Sequence, residues 1–509
     1  MNKFILLFNT IKYLKLKQVY FRLYYFARAR YRKVSGFKYE VLKGSNVTPL
    51  NLIDSIENKY SNANNNGFNF LNLSKKFDGA IDWNYDKYGK LWTYNLTYFE
   101  YLKETEDVCL IYDFIENISA VKDGLEPFPI SLRGLSWIKY LTYNNIKDKK
   151  IDDSLYAQYY ILLDSLEYHL LGNHLLENGF SLLFGAYYFE DEKLYAKAKE
   201  ILEEELEEQI LEDGGHFELS PMYHQIMLFR VLDCINLVKN NNWKNQELLE
   251  VLIRKAELML SWLKNIIYSN GDIPLLNDSA NHIAPTSNEL FEYAKFLNIE
   301  YLILNVKLKE SGYRKIDKNN YECIIDIGHI GAEYIPGHVH ADTFNFELRI
   351  DGKPFVVDSG LSTYETNEIR FCERSTKAHN TVEVLEKDSS EVWGGFRVAN
   401  RANVIELVEN IDHIQATHDG YKKYGVLHIR SWTFEDDKII IEDSLNKDSE
   451  AVFRLHFHPT VNEQMIREKI QNIEYQIESY NYVEEFNKTQ KALVLEIEFE
   501  KELKVEINI

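Results

Sequence analysis

From about residue 95 to 310, apolar residues recur three and four positions apart, as in Leu162, Leu163, Leu166 and Leu170, or in Ile226, Leu228, Phe229, Leu232 and Ile235. That spacing lets an α-helix bury one face, and it predicts amphipathic helices of roughly ten to twenty residues. Connectors such as 211–215 and 270–272 are short and carry Gly and Asp, which suits antiparallel helical hairpins packed in succession. An α/α array or toroid is the expected outcome. Past Ser311 and Gly312 the period falls to two. Runs at 344–350 and 354–358 flank Asp351-Gly352, a pair that tolerates the backbone of a tight hairpin turn. Further runs at 381–385, 428–434, 438–441, 452–457 and 493–499 predict an antiparallel β-sandwich. The expected division is a basic segment over 1–45, a helical domain over 46–315 and a sandwich over 316–509.

Composition narrows the function classes. Of 509 residues, 45% are hydrophobic and 27% charged, with only 9 Pro, so the chain folds and is not low-complexity. Asp and Glu number 79 against 58 Lys and Arg, a net charge of -21 that repels a nucleic-acid backbone; no nucleic-acid partner is expected. Cys109, Cys234, Cys323 and Cys372 are scattered and signal neither a disulfide framework nor a thiolate metal site.

The basic residues are unevenly placed. About eleven Lys and Arg stand against one Glu in residues 1–43, interleaved with Tyr and Phe. This suits an interfacial helix on a membrane, or a docking surface for an anion or a protein; a basic helix lying on the acidic body satisfies the same pattern. Lys12, Lys15 and Lys17 interrupt the apolar run at 4–8 before it reaches signal-peptide length, and no run is long enough to span a bilayer. The expected location is cytoplasmic or peripheral to the membrane.

Three clusters carry candidate chemistry. In Gly337-His338-Val339-His340, read as an extended segment, the two imidazoles share a face, and Asp358 returns beside them across the hairpin. With His379 this makes a His-Asp-His set for one divalent ion, zinc by its ligand types. In Gly172-Asn173-His174-Leu175-Leu176-Glu177, a helix start places Asn173 near the N-cap and sets His174 and Glu177 on one face, where Glu177 would orient the imidazole. In Glu218-Leu219-Ser220-Pro221-Met222-Tyr223-His224, Ser at the cap and Pro at the first position put Tyr223 in the first turn, where the helix dipole favours a phenolate.

Taken in order, these segments resemble the heparinase II/III-like polysaccharide lyases. The resemblance also rests on 91–99 (Leu-Trp-Thr-Tyr-Asn-Leu-Thr-Tyr-Phe), 129–133, 357–360, 377–381 and 393–397, and runs from about residue 80 to 405. It implies an incomplete (α/α) toroid followed by an antiparallel β-sandwich, and β-elimination at a uronic acid of an acidic polysaccharide. In such a reaction the C6 carboxylate must be neutralised, the C5 proton removed and the leaving C4 oxygen protonated. The resemblance assigns neutralisation to Asn173 and His174 with Glu177 in support, base or acid duty to Tyr223, an alternative base to His338, and a structural zinc to His340, Asp358 and His379. Arg374 and Arg397 fall in matching segments as candidates for gripping carboxylate or sulfate. The absence of a leader-like run points to a bacterial exopolysaccharide or capsule polymer rather than to scavenging, and the net charge disfavours a highly sulfated one. A glycoside hydrolase on the same scaffold, using Glu177 and Glu218, and a non-catalytic polysaccharide-binding member of the family are the competing readings.

Overall fold

A computed structural model describes residues 3–39, 47–64, 67–244, 246–299 and 307–509. Two helices open it, α1 (Lys3–Ile11) and α2 (Leu16–Ser35), followed by a three-stranded antiparallel sheet, β1 (Asn62–Asn64), β2 (Gly67–Phe70) and β3 (Leu73–Lys76). The period-two pattern did not signal this small sheet, because its strands are only three or four residues long. The expected boundary at 45/46 lies outside the described residues.

The helical part then runs through α3 (Lys90–Tyr98), α4 (Val108–Asn117), α5 (Pro127–Tyr143), α6 (Lys149–Asp164), α7 (Gly172–Phe189), α8 (Glu192–Gln209), α9 (Pro221–Asn240), α10 (Glu247–Ile266) and α11 (Ser287–Phe296). Side-chain caps start several of these helices: Asp148 accepts from Ile151 N, Asp191 from Leu194 N and Ser220 from Tyr223 N. At the centre, α7 is packed on every side, and every one of its residues except His174 is buried. The Leu162 to Leu170 periodicity belongs to no single helix. α6 stops at Asp164, and Leu166 is buried in the connector, where the Glu167 carbonyl accepts the backbone N–H groups of Leu170 and Leu171.

The sandwich begins with the antiparallel meander β4 (Tyr313–Asp317), β5 (Tyr321–Asp326), β6 (Phe346–Ile350) and β7 (Lys353–Val356). Asp351 and Gly352 both take positive φ between β6 and β7, and Ile350 pairs with Lys353, as the hairpin signal required. A short helix, α12 (Glu368–Glu373), precedes β8 (Val382–Val384) and the small ribbon of β9 (Val392–Trp393) and β10 (Arg397–Val398). The remaining strands are β11 (Val404–Glu409), β12 (His413–His418), β13 (His428–Phe434), β14 (Lys438–Leu445), β15 (Ala451–His456), β16 (Gln476–Glu485), β17 (Lys488–Phe499) and β18 (Glu502–Asn508). They form one sheet ordered β11-β12-β13-β14-β18 and another ordered β16-β17-β15-β8. Apolar faces of these sheets enclose a second core around Phe344, Trp432, Phe453 and Leu495. The toroid core extends into the sandwich through Tyr313, Ile324, Leu361 and Phe486, so the two parts share a packed junction.

One charge cluster is buried in the sandwich. Arg430 donates to both carboxylate oxygens of Asp443 at 2.7 and 2.9 Å and to the Phe344 and Asn380 carbonyls, and His428 meets Asp443 at 2.6 Å. Asp443→Ala leaves a desolvated guanidinium without its counter-charge, so it should lower stability by about 3–5 kcal/mol, read as a fall in the urea midpoint.

Candidate active site

Two helix starts meet at the junction of toroid and sandwich. Leu171 and Gly172 enter α7 with positive φ, and a Cβ on Gly172 would sit 2.7 Å from Glu218 Oε1, so that position requires glycine. Glu218 accepts the Asn173 backbone N–H through Oε1 and the Asn173 Nδ2 through Oε2, each at 3.0 Å. A carboxylate thus seals the positive end of α7 and fixes the Asn173 side chain. Asn173 lies inside the first turn rather than at the cap, and its Oδ1 is buried without a partner.

Ser220 caps α9 as the sequence indicated, and places Tyr223 on the cleft. The same hydroxyl donates to the Asp278 carbonyl at 2.8 Å, tying α9 to a long connector between α10 and α11. The Tyr223 hydroxyl lies 3.2 Å from that of Tyr364, and its ring stacks on His338 with centroids 3.9 Å apart. The dipole argument for a phenolate fails here. Burial dominates and pushes the Tyr223 phenol well above its ordinary value, against the lowering effect of the Tyr364 hydroxyl.

Asp278 is the hub. His338 Nδ1 meets its Oδ2 at 2.9 Å and His340 Nε2 meets its Oδ1 at 2.8 Å, while Arg370 of α12 grips both oxygens at 2.5 and 2.7 Å. Burial alone would raise this carboxyl, but the Arg370 guanidinium, with the two imidazoles, holds it well below the usual carboxylate range. An ionised Asp278 makes His338 Nδ1 the donor, and the other ring nitrogen, Nε2, lies 3.3 Å from Asn173 Nδ2 and 3.4 Å from Glu218 Oε2. The His338-to-His340 stretch is irregular rather than a strand. The two rings converge because both reach one carboxylate, not because a pleat puts them on one face.

His174 faces outward from α7, beside Phe128, which lines the cleft, at 4.6 Å between ring centroids. Its partner is Glu167, 3.0 Å from Nδ1, and not Glu177. Burial would lower this imidazole, but the Glu167 carboxylate outweighs it and carries the pKa above the ordinary value. Glu177 turns instead into the toroid, where Arg230 donates to it at 3.1 Å and bridges to Glu100. Three residues along a helix turn through about 300°, and α9 supplies a buried cation on the side Glu177 faces. Arg374 is also reassigned: it is buried and donates to the Val339, Gly394 and Gly395 carbonyls, bracing a loop rather than facing a ligand. Arg397 is exposed and lies over the Trp393 ring at 4.8 Å. Neither competitor glutamate is free for hydrolysis, since Glu177 is paired with Arg230 and Glu218 with Asn173. Asp278, Arg370, Glu167 and Tyr364 were not anticipated; they lie in segments without periodic pattern, and only the fold brings them together.

Family models match both parts of the chain: the heparinase II/III N-terminus over residues 154–300 and the heparinase II/III-like C-terminal model over 305–502. The chain belongs to the heparinase II/III-like family. Among curated relatives, a heparin-sulfate lyase of Pedobacter heparinus is 24% identical over 331 residues, covering 57% of this chain and 48% of that protein. A heparin-sulfate lyase of Bacteroides thetaiotaomicron is 24% identical over 286 residues, covering 46% and 40%. This chain thus spans about half the length of the curated relatives it matches. Solved structures with this fold include heparinase III, with a TM-score of 0.61 at 16% identity, covering 85% of this chain and 80% of that one. A heparan sulfate lyase from Pedobacter heparinus matches with a TM-score of 0.52 at 16% identity, covering 86% and 79%. The incomplete (α/α) toroid and antiparallel β-sandwich are the architecture of this heparinase II/III-like chain.

The histidines expected to bind zinc are half prepared for it. His340 uses Nε2 on Asp278 and His379 uses Nδ1 on Asp358 at 2.8 Å, which leaves His340 Nδ1 and His379 Nε2 buried without partners, the rings 5.2 Å apart. Burial holds the His340 imidazole down to about 4, so that nitrogen keeps its lone pair at neutral pH. Asp358 stands behind His379, with Asn345 Nδ2 and the Gly360 N–H on its oxygens. Among the described residues no group of three or more His, Cys, Asp or Glu side chains forms a metal-holding set, and Asp358 orients His379 from behind instead of standing beside it as a third ligand.

Removing the Glu167 charge isolates its effect on His174. Glu167→Gln leaves burial as the dominant influence, so the imidazole should lose its proton at a lower pH than in the parent, read by NMR titration of the ring.

Proposed function

We propose that this chain is a polysaccharide lyase that cleaves a uronic-acid-containing polymer by β-elimination. The reading rests chiefly on one juxtaposition: a His338 ring oriented through Nδ1 by Asp278, lying against a Tyr223 phenol that burial keeps protonated. An imidazole and a phenol stand side by side, the base and the acid that an elimination needs.

In the proposed reaction, His174 takes the substrate's C6 carboxylate, and the Asn173 N–H that meets His338 Nε2 turns to it, which frees that nitrogen and draws charge away from C5. The C5 proton moves to His338 Nε2, the C4–O bond breaks as the C4–C5 double bond forms, and the Tyr223 hydroxyl gives its proton to the leaving oxygen. The resulting imidazolium is stabilised by Asp278, and Tyr364 lies within hydrogen-bond reach of Tyr223 to help restore the phenol. Glu218 fixes Asn173, and Glu167 raises the proton affinity of His174.

The cleft favours a polymer of low charge density. Glu57, Glu100, Glu177 and Glu289 line it with only Lys59 and Arg230 as Lys or Arg cations, and Lys59 pairs with Glu289 while Arg230 pairs with Glu177 and Glu100. No unpaired cation in that lining is left for sulfate among the described residues. Relatives named as heparin-sulfate lyases support the reaction class, and the charge of this cleft supports an unsulfated uronan, such as an exopolysaccharide or capsule polymer of the producing cell, reached from a cytoplasmic or membrane-peripheral position. A structural zinc fits the same reading, held by the free nitrogens of His340 and His379 with Asp358 behind; when bound it would neutralise and stiffen this corner of the sandwich, outside the proton transfers.

Incubation with unsulfated polyuronates, the producing cell's own polymer and heparin should give the near-ultraviolet absorbance of an unsaturated sugar with an unsulfated substrate. Tyr223→Phe and His338→Ala should each reduce the rate by about 10²–10⁴-fold. New reducing ends without absorbance would instead establish a hydrolase. The pH profile should fall on its alkaline side as His174 deprotonates, and in Glu167→Gln that limb should move to lower pH. Zinc at one equivalent in the purified protein, lost in His379→Ala together with a lowered Tm, would establish the metal; a metal-free parent of equal Tm would refute it.

A further inference from the structure

The paired N-terminal helices have two unlike faces. The inner face of α2 is bound to the acidic body: Lys15 and Lys17 meet Glu208 and Glu204, Arg28 and Arg32 meet Asp164, and the buried Gln18 donates to the Leu170 carbonyl. α1 is held at its end, where Trp393 Nε1 donates to Thr10 Oγ1 at 3.0 Å and Arg401 lies 3.6 Å over the Tyr13 ring.

The other face is apolar and uncovered. α1 has no buried residue, and Phe8 is 71% exposed. Along α2, Leu16, Tyr20, Leu23, Tyr31 and Val34 follow one another at helical spacing opposite the inner residues, with Leu16 88% and Val34 90% exposed. Lys3, Lys12, Arg30, Lys33 and Lys38 flank these side chains and have no carboxylate partner among the described residues, in a chain whose net charge is -21. The basic helix therefore lies against the acidic body and still presents a separate apolar, cationic face.

We propose that this face is a docking surface for an anionic lipid bilayer, with the exposed Leu, Phe and Tyr side chains entering the headgroup boundary and the unpaired Lys and Arg neutralising lipid phosphates. An apolar stripe edged by cations is what interfacial binding needs. A second copy fits less well, because a two-fold contact would set this basic patch against itself. No helix among the described residues is long and apolar enough to cross a membrane, so the attachment is to the surface.

The test is co-sedimentation of the full chain with vesicles of phosphatidylcholine alone or mixed with phosphatidylglycerol. Binding is expected to the mixed vesicles, to weaken with added salt, and to fall by about tenfold or more in Leu23→Glu/Phe26→Glu and in Arg30→Glu/Lys33→Glu. All four side chains are exposed, Phe26 beside Leu23 on α2 included, and an unchanged circular dichroism spectrum would verify the fold. Absence of parent binding to anionic vesicles, or equal binding by both variants, would overturn the proposal. A concentration-dependent dimer that Leu23→Glu/Phe26→Glu dissolves, without vesicle binding, would overturn it in favour of a second copy.

Discussion

The site depends on the ion pair between Arg370 and Asp278. Both side chains are fully buried, and each would be expensive to desolvate alone. Joined through two hydrogen bonds, they let an ionised carboxylate persist in the interior with lone-pair capacity left over for two imidazoles. That capacity orients His338 and His340, and leaves the outer nitrogen of His340, Nδ1, buried without a partner. The pair also spans the molecule, since Asp278 belongs to the toroid's connector and Arg370 to a helix of the sandwich half. The junction and the His338 ring are therefore set by one interaction, and a shift of sandwich against toroid would move both.

Around this hub, backbone contacts remove the remaining freedom. The Asp278 N–H donates to the His338 carbonyl at 3.0 Å, the His340 N–H donates to Asn277 Oδ1, and Ser220 reaches the Asp278 carbonyl. A long connector held in this way is as well positioned as a helix face, although it has no regular structure. Glu218 acts similarly on the other side, using one carboxylate to close the α7 terminus and fix the Asn173 amide. Preorganisation of this kind means that little reorganisation accompanies charge movement in the cleft.

The fold was legible because it follows from periodicity. The Asp351-Gly352 hairpin and the Ser220-Pro221 helix start appear where their local chemistry placed them, since turns and caps are decided within a few residues. The site was legible only where a motif carried it: Asn173, His174, Tyr223 and His338 lie around the junction, while Glu177 and Arg374 serve buried partners that sequence spacing does not reveal. Asp278 and Arg370 are ninety-two positions apart in segments that resemble ordinary loop and short helix. Their pairing is a property of how two domains dock, so no local pattern announces it. The connector after α10 was read as a short turn at 270–272; it continues to α11 and contains the hub.

Charge placement shows the same division between what composition gives and what packing decides. A chain of net charge -21 that binds a polyanion needs its cations concentrated somewhere. They are concentrated at the N-terminal helices, while the cleft's Lys59 and Arg230 are consumed by glutamates. An arginine bridging two carboxylates holds the toroid floor rigid, but it contributes little field to a ligand above it. What the lining offers a ligand instead is partly exposed apolar surface, such as the Phe128 ring. A densely charged polyanion in the proposed cleft would therefore meet, among the described lining residues, no Lys or Arg without a carboxylate partner.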